Sequence, residues 1–134
     1  MNQDVAAIAI LQNALKAANL RQQVYANNIA NAQTPGFHSS NVQFQSLLTQ
    51  ALLGPTGGAP TSPGSTPFSG FNWSAGIAVQ PRVVTNNQTE IANNGNNVNI
   101  DAQMARLAEN QVYYNTLVQD VQSHLTRLQT AITG

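Results

Sequence analysis

The amino-acid sequence predicts a mainly α-helical protein: an antiparallel, coiled-coil-like pair of long N- and C-terminal helices, with a central loop and a short β-hairpin region between them. Three observations predict this fold class. Apolar side chains recur at alternating spacings of three and four residues at both ends of the chain, the pattern of a helix seam. The middle is instead rich in Gly, Pro, Ser and Thr, which interrupt regular structure. The 134 residues suit one domain, 1–134.

The first helix is expected over residues 4–31. Its interior is rich in Ala and Leu, and Asp4 lies where a negative charge stabilises the positive end of the helix dipole. Pro35 disfavours the helical conformation of Thr34, so the helix must end before it. A polar residue in a seam often fixes register or partner, which is the role expected of Gln22. The predicted seam comprises Ile8, Leu11, Leu15, Ala18, Gln22, Tyr25 and Ile29.

The central part of the chain begins with a turn. Pro35 and Gly36 are a typical central pair of a type II turn, in which Gly36 supplies the positive φ. Residues 41–53 are apolar enough to form a short second helix, whereas 17 of the 23 residues in 54–76 are Gly, Pro, Ser or Thr and predict a flexible loop. Three aromatic side chains in this loop are candidate anchors, either on a neighbour or on the chain's own helices: Phe68, Phe71 and Trp73.

Residues 77–100 are expected to hold short strands and a turn. The segment 77–85 is rich in Val, 93–97 is an Asn- and Gly-rich turn, and 98–100 is a candidate return strand. The second long helix follows over 101–132, with Asp101 as its N-cap or first-turn acid. Its predicted seam comprises Met104, Leu107, Gln111, Tyr114, Val118, Val121, Leu125, Leu128 and Ile132. Four apolar residues lie off both seams, and we expect neighbouring subunits to cover them: Leu20, Val24, Val112 and Leu117.

The composition excludes several classes of protein. Only ten side chains are charged, five of each sign, and most polarity comes from 17 Asn and 15 Gln. Such a surface suits coverage by neighbours, unless the bias is a chance feature of a small protein. Scattered Lys and Arg argue against nucleic-acid binding. No apolar stretch is long enough to span a membrane, and the one at 5–15 lacks the preceding basic residues of a secretory signal, so we expect no cleaved signal peptide.

No catalytic, cofactor or metal site is predicted, and the chain is expected not to be an enzyme. There is no cysteine, and neither His38 nor His124 is expected to have an acid or a second histidine at metal-ligand spacing. The acidic residues are too dispersed for a paired acid and base, and no glycine motif for phosphate binding occurs. Functional interpretations therefore concern assembly.

Two segments resemble the rod and hook family of bacterial flagellar axial proteins. The segment NIANAQTPGF at 28–37 is similar to the N-terminal signature of that family, in which the motif residues are Asn28, Asn31, Thr34, Pro35, Gly36 and Phe37. The segment NGNNVNIDAQM at 94–104, followed by LAENQ at 107–111, resembles the C-terminal signature of the short proximal rod proteins. The resemblance covers about 5–50 and 78–132. Gln103 stands where the family often has Glu, and His38 where a basic residue is common; neither is expected to touch the seams.

The resemblance implies a structural subunit of the proximal rod in the bacterial flagellar basal body. Such subunits assemble through their terminal helices into a hollow drive shaft that links the MS ring to the distal rod and hook and transmits torque. Implied partners are further copies, other rod proteins, a FliE-like adaptor and MS ring at the membrane-proximal end, and the flagellar type III export apparatus. The implied location is the periplasmic rod, reached without a cleaved signal peptide, with folding on assembly. The turn at 34–37 and the loop at 54–76 are expected to make lateral or axial contacts.

Two alternatives remain at this stage. A sibling proximal rod subunit such as FlgC shares the N-terminal motif. A free helical adaptor or chaperone would instead be a stable monomer or closed dimer, whereas a rod subunit is expected to be poorly ordered alone.

Overall fold

The computed structural model describes residues 2–53, 72–88, 95 and 97–134, and it confirms the predicted mainly α-helical class. Within these residues, two long helices lie towards the two ends of the chain, and two short helices and two short strands lie between them. In chain order the elements are α1 (Asn2–Ala30), β1 (Ser40–Gln43), α2 (Gln45–Leu53), α3 (Trp73–Ala78), β2 (Arg82–Thr85) and α4 (Ile100–Thr133). No helix in the described ranges is both long and apolar enough to cross a membrane.

Helices α1 and α4 pack against each other in antiparallel orientation. Near the start of α1, Asp4 Oδ1 lies 3.2 Å from His124 Nδ1 at the far end of α4. Near the end of α1, Asn28 Nδ2 donates a hydrogen bond of 2.9 Å to Gln103 Oε1 in the first turn of α4. Partner numbers fall along α4 as residue numbers rise along α1, so the helices run in opposite directions.

The buried apolar core contains many small side chains. Four of its members are alanines on α1, and the largest fully buried side chain belongs to a polar residue, Asn28. Small residues in the seam allow two helix backbones to approach closely. The buried apolar residues are Ala6, Ala14, Ala17, Ala18, Val24, Tyr25, Val42, Phe44, Val98 and Leu117.

The two strands form an antiparallel sheet that differs from the predicted hairpin. Ser40 of β1 lies opposite Thr85 of β2, and the side chains of Val42 and of the following Phe44 enter the core. The prediction that 98–100 forms a return strand is wrong. Asn99 instead caps α4, its Oδ1 accepting a hydrogen bond of 3.1 Å from Ala102 N, so the backbone turns directly into the helix.

Other boundaries also differ from the prediction. The expected strand at 77–85 begins only at Arg82, because Ile77 and Ala78 belong to α3. The expected helix at 41–53 is divided into β1 and α2. Of the two roles expected of Asp101, the structure shows the first-turn acid, while Asn99 is the N-cap of α4.

Part of the predicted flexible loop is helical. Asn72 caps α3 by accepting a hydrogen bond of 3.1 Å from Ala75 N, so α3 begins at Trp73, which is half-buried. The remainder of that loop, including Phe68 and Phe71, lies outside the described residues.

Helix α3 lies close to both α1 and α2 at Gly76. A Cβ atom on this residue would lie 2.6 Å from Leu52 Cδ2 and 3.2 Å from Ile10 Cδ1. A hydrogen bond of 2.8 Å from Asn13 Nδ2 to Ile77 O also joins α1 to α3. A side chain at this position would therefore force the side chains of Leu52 and Ile10 to move.

Candidate assembly surfaces

The turn that follows α1 has the geometry predicted from its Pro-Gly pair. Phe37 N donates a hydrogen bond of 3.2 Å to Thr34 O, which closes a four-residue turn, and Gly36 has a φ of 72°. Asn27 O near the end of the helix accepts hydrogen bonds from both Asn31 N, at 3.0 Å, and Asn31 Nδ2, at 2.9 Å. The turn at 34–36 is exposed, while Phe37 is half-buried.

Asn28 connects three elements through its buried side-chain amide. Its Oδ1 accepts a hydrogen bond of 2.9 Å from Ser40 N, and its Nδ2 donates to Ser40 O at 2.8 Å and to Gln103 Oε1 at 2.9 Å. The first residue of β1 is thereby held against both long helices. The expectation that Gln103 lies away from the helix contact is wrong, since Gln103 is only 4% exposed between them.

Asn97, which lies just before α4, makes a similar set of hydrogen bonds. Its Oδ1 accepts a hydrogen bond of 2.7 Å from Ser39 N, and its Nδ2 donates to Asn86 O at 2.8 Å and Gln88 O at 3.0 Å. The same Nδ2 lies 3.4 Å from His38 Nδ1. Two buried asparagines therefore bind the amides of two consecutive residues, Ser39 and Ser40.

The predicted seam of α1 lies largely on the face that contacts α4. Two of its members are buried and four are half-buried, whereas Gln22 is exposed. The buried pair is Ala18 and Tyr25, and the half-buried residues are Ile8, Leu11, Leu15 and Ile29.

On α4 the buried residues are displaced by one position from half of the predicted seam. Gln103, Asn110 and Leu117 are buried at intervals of seven, each one residue before a predicted seam position. An interval of seven is the spacing of residues that line one helix face. Because two of these three residues are polar, apolar periodicity does not predict that this face is buried. Leu107, Val118, Val121 and Leu128 are half-buried, and the exposed members are Met104, Gln111, Tyr114, Leu125 and Ile132.

The displaced register leaves an exposed apolar stripe on α4, here called the outer stripe. Its five residues are each seven apart: Met104, Gln111, Val118, Leu125 and Ile132. Met104 is 56% exposed, Leu125 51% and Ile132 80%, whereas Val118 is half-buried. Spacing by seven places the five side chains along one side of the helix.

An apolar groove of about 610 Å³ lies beside the first residues of the outer stripe. Small side chains line it on both helices: Ala26 and Ala30 of α1 and Ala108 of α4, next to Met104 and Ile29. Its walls can therefore accept a larger apolar side chain from outside the chain.

The four residues expected off the seams separate into two groups. Val24 and Leu117 are buried within the chain, so the expectation that neighbours cover these two is wrong, whereas Leu20 packs against the core and is half-buried. The displaced register of α4 explains the burial of Leu117. Val112 is 67% exposed.

His124 has acidic neighbours that the sequence analysis did not expect. Its Nδ1 lies 3.2 Å from Asp4 Oδ1, and its Nε2 lies 3.7 Å from Asp120 Oδ1, one turn earlier on α4. A spacing of four residues places two side chains on the same helix face. Within the described part of the chain, no three His, Cys, Asp or Glu side chains are grouped closely enough to hold a metal ion.

Comparisons with known proteins identify relatives over most of the chain. The sequence model of the family described as "Flagella basal body rod protein" matches residues 8–38. The flagellar basal body rod protein FlgB of Bacillus subtilis (strain 168) is 36% identical over 124 residues, which is 92% of this chain and 91% of that protein. FlgB of Borreliella burgdorferi is 37% identical over 112 residues, 82% of each chain. FlgB of Salmonella typhimurium is 27% identical over 132 residues, 96% of this chain and 94% of that protein.

Proposed function

This chain belongs to the FlgB family of flagellar basal body rod proteins, and we propose that it builds the rod by packing the outer stripe of α4 against helices of neighbouring subunits. It is a structural subunit of the basal body rod and assembles with other rod proteins. The relatives are FlgB proteins, so they support neither the FlgC-like sibling nor the free adaptor. We further propose that its work is mechanical rather than catalytic.

The outer stripe is the observation that carries the proposal. It extends from Met104 to Ile132, about 42 Å along the helix axis. Burying a large apolar side chain contributes about 1.5–3 kcal/mol. Burial of the four apolar members of the stripe, all except Gln111, therefore favours association strongly. The heptad spacing matches what a second helix requires for continuous packing.

The apolar groove supplies a complementary surface for the same association. Its small side chains form a hole, and the exposed Leu125 or Ile132 of another subunit is a knob of suitable size. A contact between different surfaces of identical subunits does not close on itself, so it propagates into a helical assembly. Pairing of the stripe with the groove would therefore extend a rod.

The finer description of the rod follows the same reasoning. We propose that paired α1 and α4 helices form the wall of a hollow shaft and transmit torque by side-by-side packing. The exposed turn at 34–36 supports a contact with a lateral or axial neighbour. The proposed neighbours at the membrane-proximal end are a FliE-like adaptor and the MS ring. The zero net charge supports a surface that neighbours cover in the assembled shaft. The proposed location of that shaft is the periplasm, and the proposed route to it is type III export without a cleaved signal.

A charge in the outer stripe tests the proposal. We expect Leu125→Asp to abolish motility and to leave cells without intact rods, because a carboxylate cannot be buried against an apolar neighbour without a partner. The helicity of the purified variant should match the wild type, since Leu125 is already 51% exposed in the isolated chain. Swimming on soft agar and electron microscopy of basal bodies provide the measurement.

Two further variants serve as controls. Leu125→Met keeps an apolar side chain of similar volume and should remain motile. Ser123→Asp places the same charge on an exposed position away from the outer stripe and should also remain motile. Motile Leu125→Asp cells with normal basal bodies would refute packing through the stripe.

A further inference from the structure

A second groove, here called the arginine groove, lies between α1, β1 and α4. It is open to solvent, has a volume of about 630 Å³, and differs in lining from the apolar groove. Arg21 and Tyr25 of α1 line one wall, and Arg106, Asn110 and Tyr113 of α4 line the other. Unlike the apolar groove, it therefore carries charged and hydrogen-bonding side chains.

Arg21 is a buried cation with an incomplete set of partners. It is 8% exposed, and its Nη2 donates a hydrogen bond of 2.6 Å to Gln45 Oε1, a neutral acceptor. No carboxylate in the described residues lies within ion-pair distance of its guanidinium. A guanidinium has five N–H donors, and a buried charge normally has an opposite charge beside it. The groove therefore offers an anion guanidinium donors that no carboxylate of the described residues occupies.

Asn110 provides an independent sign of a missing ligand in the same groove. The residue is 5% exposed, and its Nδ2 donates to Ala18 O at 2.9 Å. Its Oδ1 is buried and has no hydrogen-bond partner. A buried acceptor without a donor costs about 1–3 kcal/mol, and a rotation of the Asn110 side chain that brings Oδ1 to the groove surface would let the N–H group of a ligand remove that cost.

The other charged residues of the groove define the charge of the ligand. Arg106 adds a second positive charge at the exposed edge, and Glu109 is the acidic residue among those lining the groove. Neither forms an ion pair within the described residues. The combination favours one negative charge at Arg21 and disfavours a dianion such as phosphate, which would face Glu109 and offer Asn110 Oδ1 few protons.

We propose that the arginine groove binds the carboxylate of an Asp or Glu side chain on a neighbouring rod subunit, with an N–H group of the same segment donating to Asn110 Oδ1. The inference rests on the proposed assembly of this chain into the rod. Guanidinium and carboxylate match in a two-bond geometry, which fixes orientation as well as position. The groove would thus set the angle between subunits, while the outer stripe supplies apolar contact area.

Replacing the buried charge separates this role from a structural one. Gln45 is exposed, so its Oε1 can return to water when Arg21 is changed to Met, and the circular dichroism of the isolated variant should match that of the wild type. The number of intact basal bodies per cell should fall at least about tenfold, as expected when one partner of a buried charge pair is removed. Arg82→Met, which removes an exposed arginine outside the groove, is the matched control and should assemble normally.

The outcomes distinguish this inference from the proposed function. Normal rods in Arg21→Met cells, or a loss of helicity in the isolated variant, would overturn the carboxylate site. Neither result affects the outer stripe, because Leu125→Asp tests that surface separately.

A cross-linking experiment identifies the carboxylate. Val112 lines the arginine groove and is 67% exposed, so p-benzoylphenylalanine at this position should cross-link to the bound segment in purified basal bodies. We expect the cross-linked peptide to come from a rod subunit and to contain an Asp or Glu near the adduct. Exchanging the charges, with Arg21→Glu in this chain and Arg at that acidic position, should restore motility. An adduct without a nearby acid, or no restoration, would overturn the proposal.

Discussion

The most informative residues of this chain are asparagines that lie inside it. Asn28 and Asn97 accept hydrogen bonds from the amides of Ser40 and Ser39, so α1 and the residues just before α4 each hold one of two consecutive peptide groups. An amide that satisfies donor and acceptor at once is tolerated in a core, and its geometry admits few alternative registers. These bonds specify where β1 lies relative to both long helices.

Removing the side-chain amide of Asn28 tests this specification. In Asn28→Ala, Ser40 N, Ser40 O and Gln103 Oε1 lose their partners in a buried site, and we expect a loss of about 2–4 kcal/mol in the free energy of unfolding. Urea unfolding followed by circular dichroism at 222 nm measures it. Asn19→Ala, at an exposed position on the same helix, should change stability by less than about 0.5 kcal/mol. Equal stability of the two variants would contradict the role of Asn28.

At this scale the sequence predicted what local backbone chemistry determines. The turn at 34–37 and the positive φ of Gly36 follow from the Pro-Gly pair alone. The burial of Gln103 and Asn110 does not follow from local chemistry, because it depends on hydrogen-bond partners that α1 contributes from more than 70 residues away. The periodicity of apolar residues does not identify a polar residue that is buried in a seam.

At the scale of elements, the helices were predictable and their facing sides were not. The periodicity that predicts α4 is shared by two adjacent heptad rows, 103–110–117 and 104–111–118. Apolar periodicity predicts that the more apolar row contacts α1, but the structure buries the more polar row there. The difference has a physical reason, because the outer row must be apolar if it is to pack against a neighbouring subunit.

The pairing of strands was likewise beyond local information. The segment Ser40–Gln43 is polar and does not look like a core strand, yet it pairs with Arg82–Thr85 because Asn28 and Asn97 position its first residue and the one before it. Strand pairing across about 40 residues depends on tertiary contacts that periodicity does not encode.

The docking of α3 depends on the absence of a side chain at Gly76. We expect Gly76→Val to push α3 away from Leu52 and Ile10 and to cost about 1–3 kcal/mol, as overpacking does. The chain has one tryptophan, Trp73, at the start of α3, so its fluorescence emission should shift to longer wavelength. Ser74→Val, at an exposed position of the same helix, should leave the emission unchanged. An unshifted spectrum for Gly76→Val would exclude this contact.

At the scale of the whole molecule, the chain has little apolar material with which to fold alone. Its core is rich in alanine, and several of its larger apolar side chains are exposed on α4. A subunit of this kind gains much of its stability from neighbours that bind only the folded form.

This deficit predicts how the purified chain behaves. Alone in buffer it should show weak helicity by far-ultraviolet circular dichroism and sediment as a small species. Trimethylamine N-oxide, which favours the folded form, provides the conditions in which variants of the isolated chain are compared. Mixed with other rod proteins the chain should gain helicity as large species form, because assembly buries the outer stripe. A fully helical monomer or dimer that does not bind the other rod proteins would contradict folding on assembly and favour a free adaptor.

The antiparallel pairing of the two ends also determines when the fold can be completed. The contacts between α1 and α4 join residues 75, 92 and 120 positions apart, so α1 meets its partner only after almost the whole chain is available. Contacts of such high sequence separation form slowly, because a long loop must close before they contribute any stability. A chain delivered one end first, from the ribosome or from an exporter, therefore remains open until its last residues arrive. That delay is a kinetic property of the topology, and it would keep the chain open during the export that we propose for it.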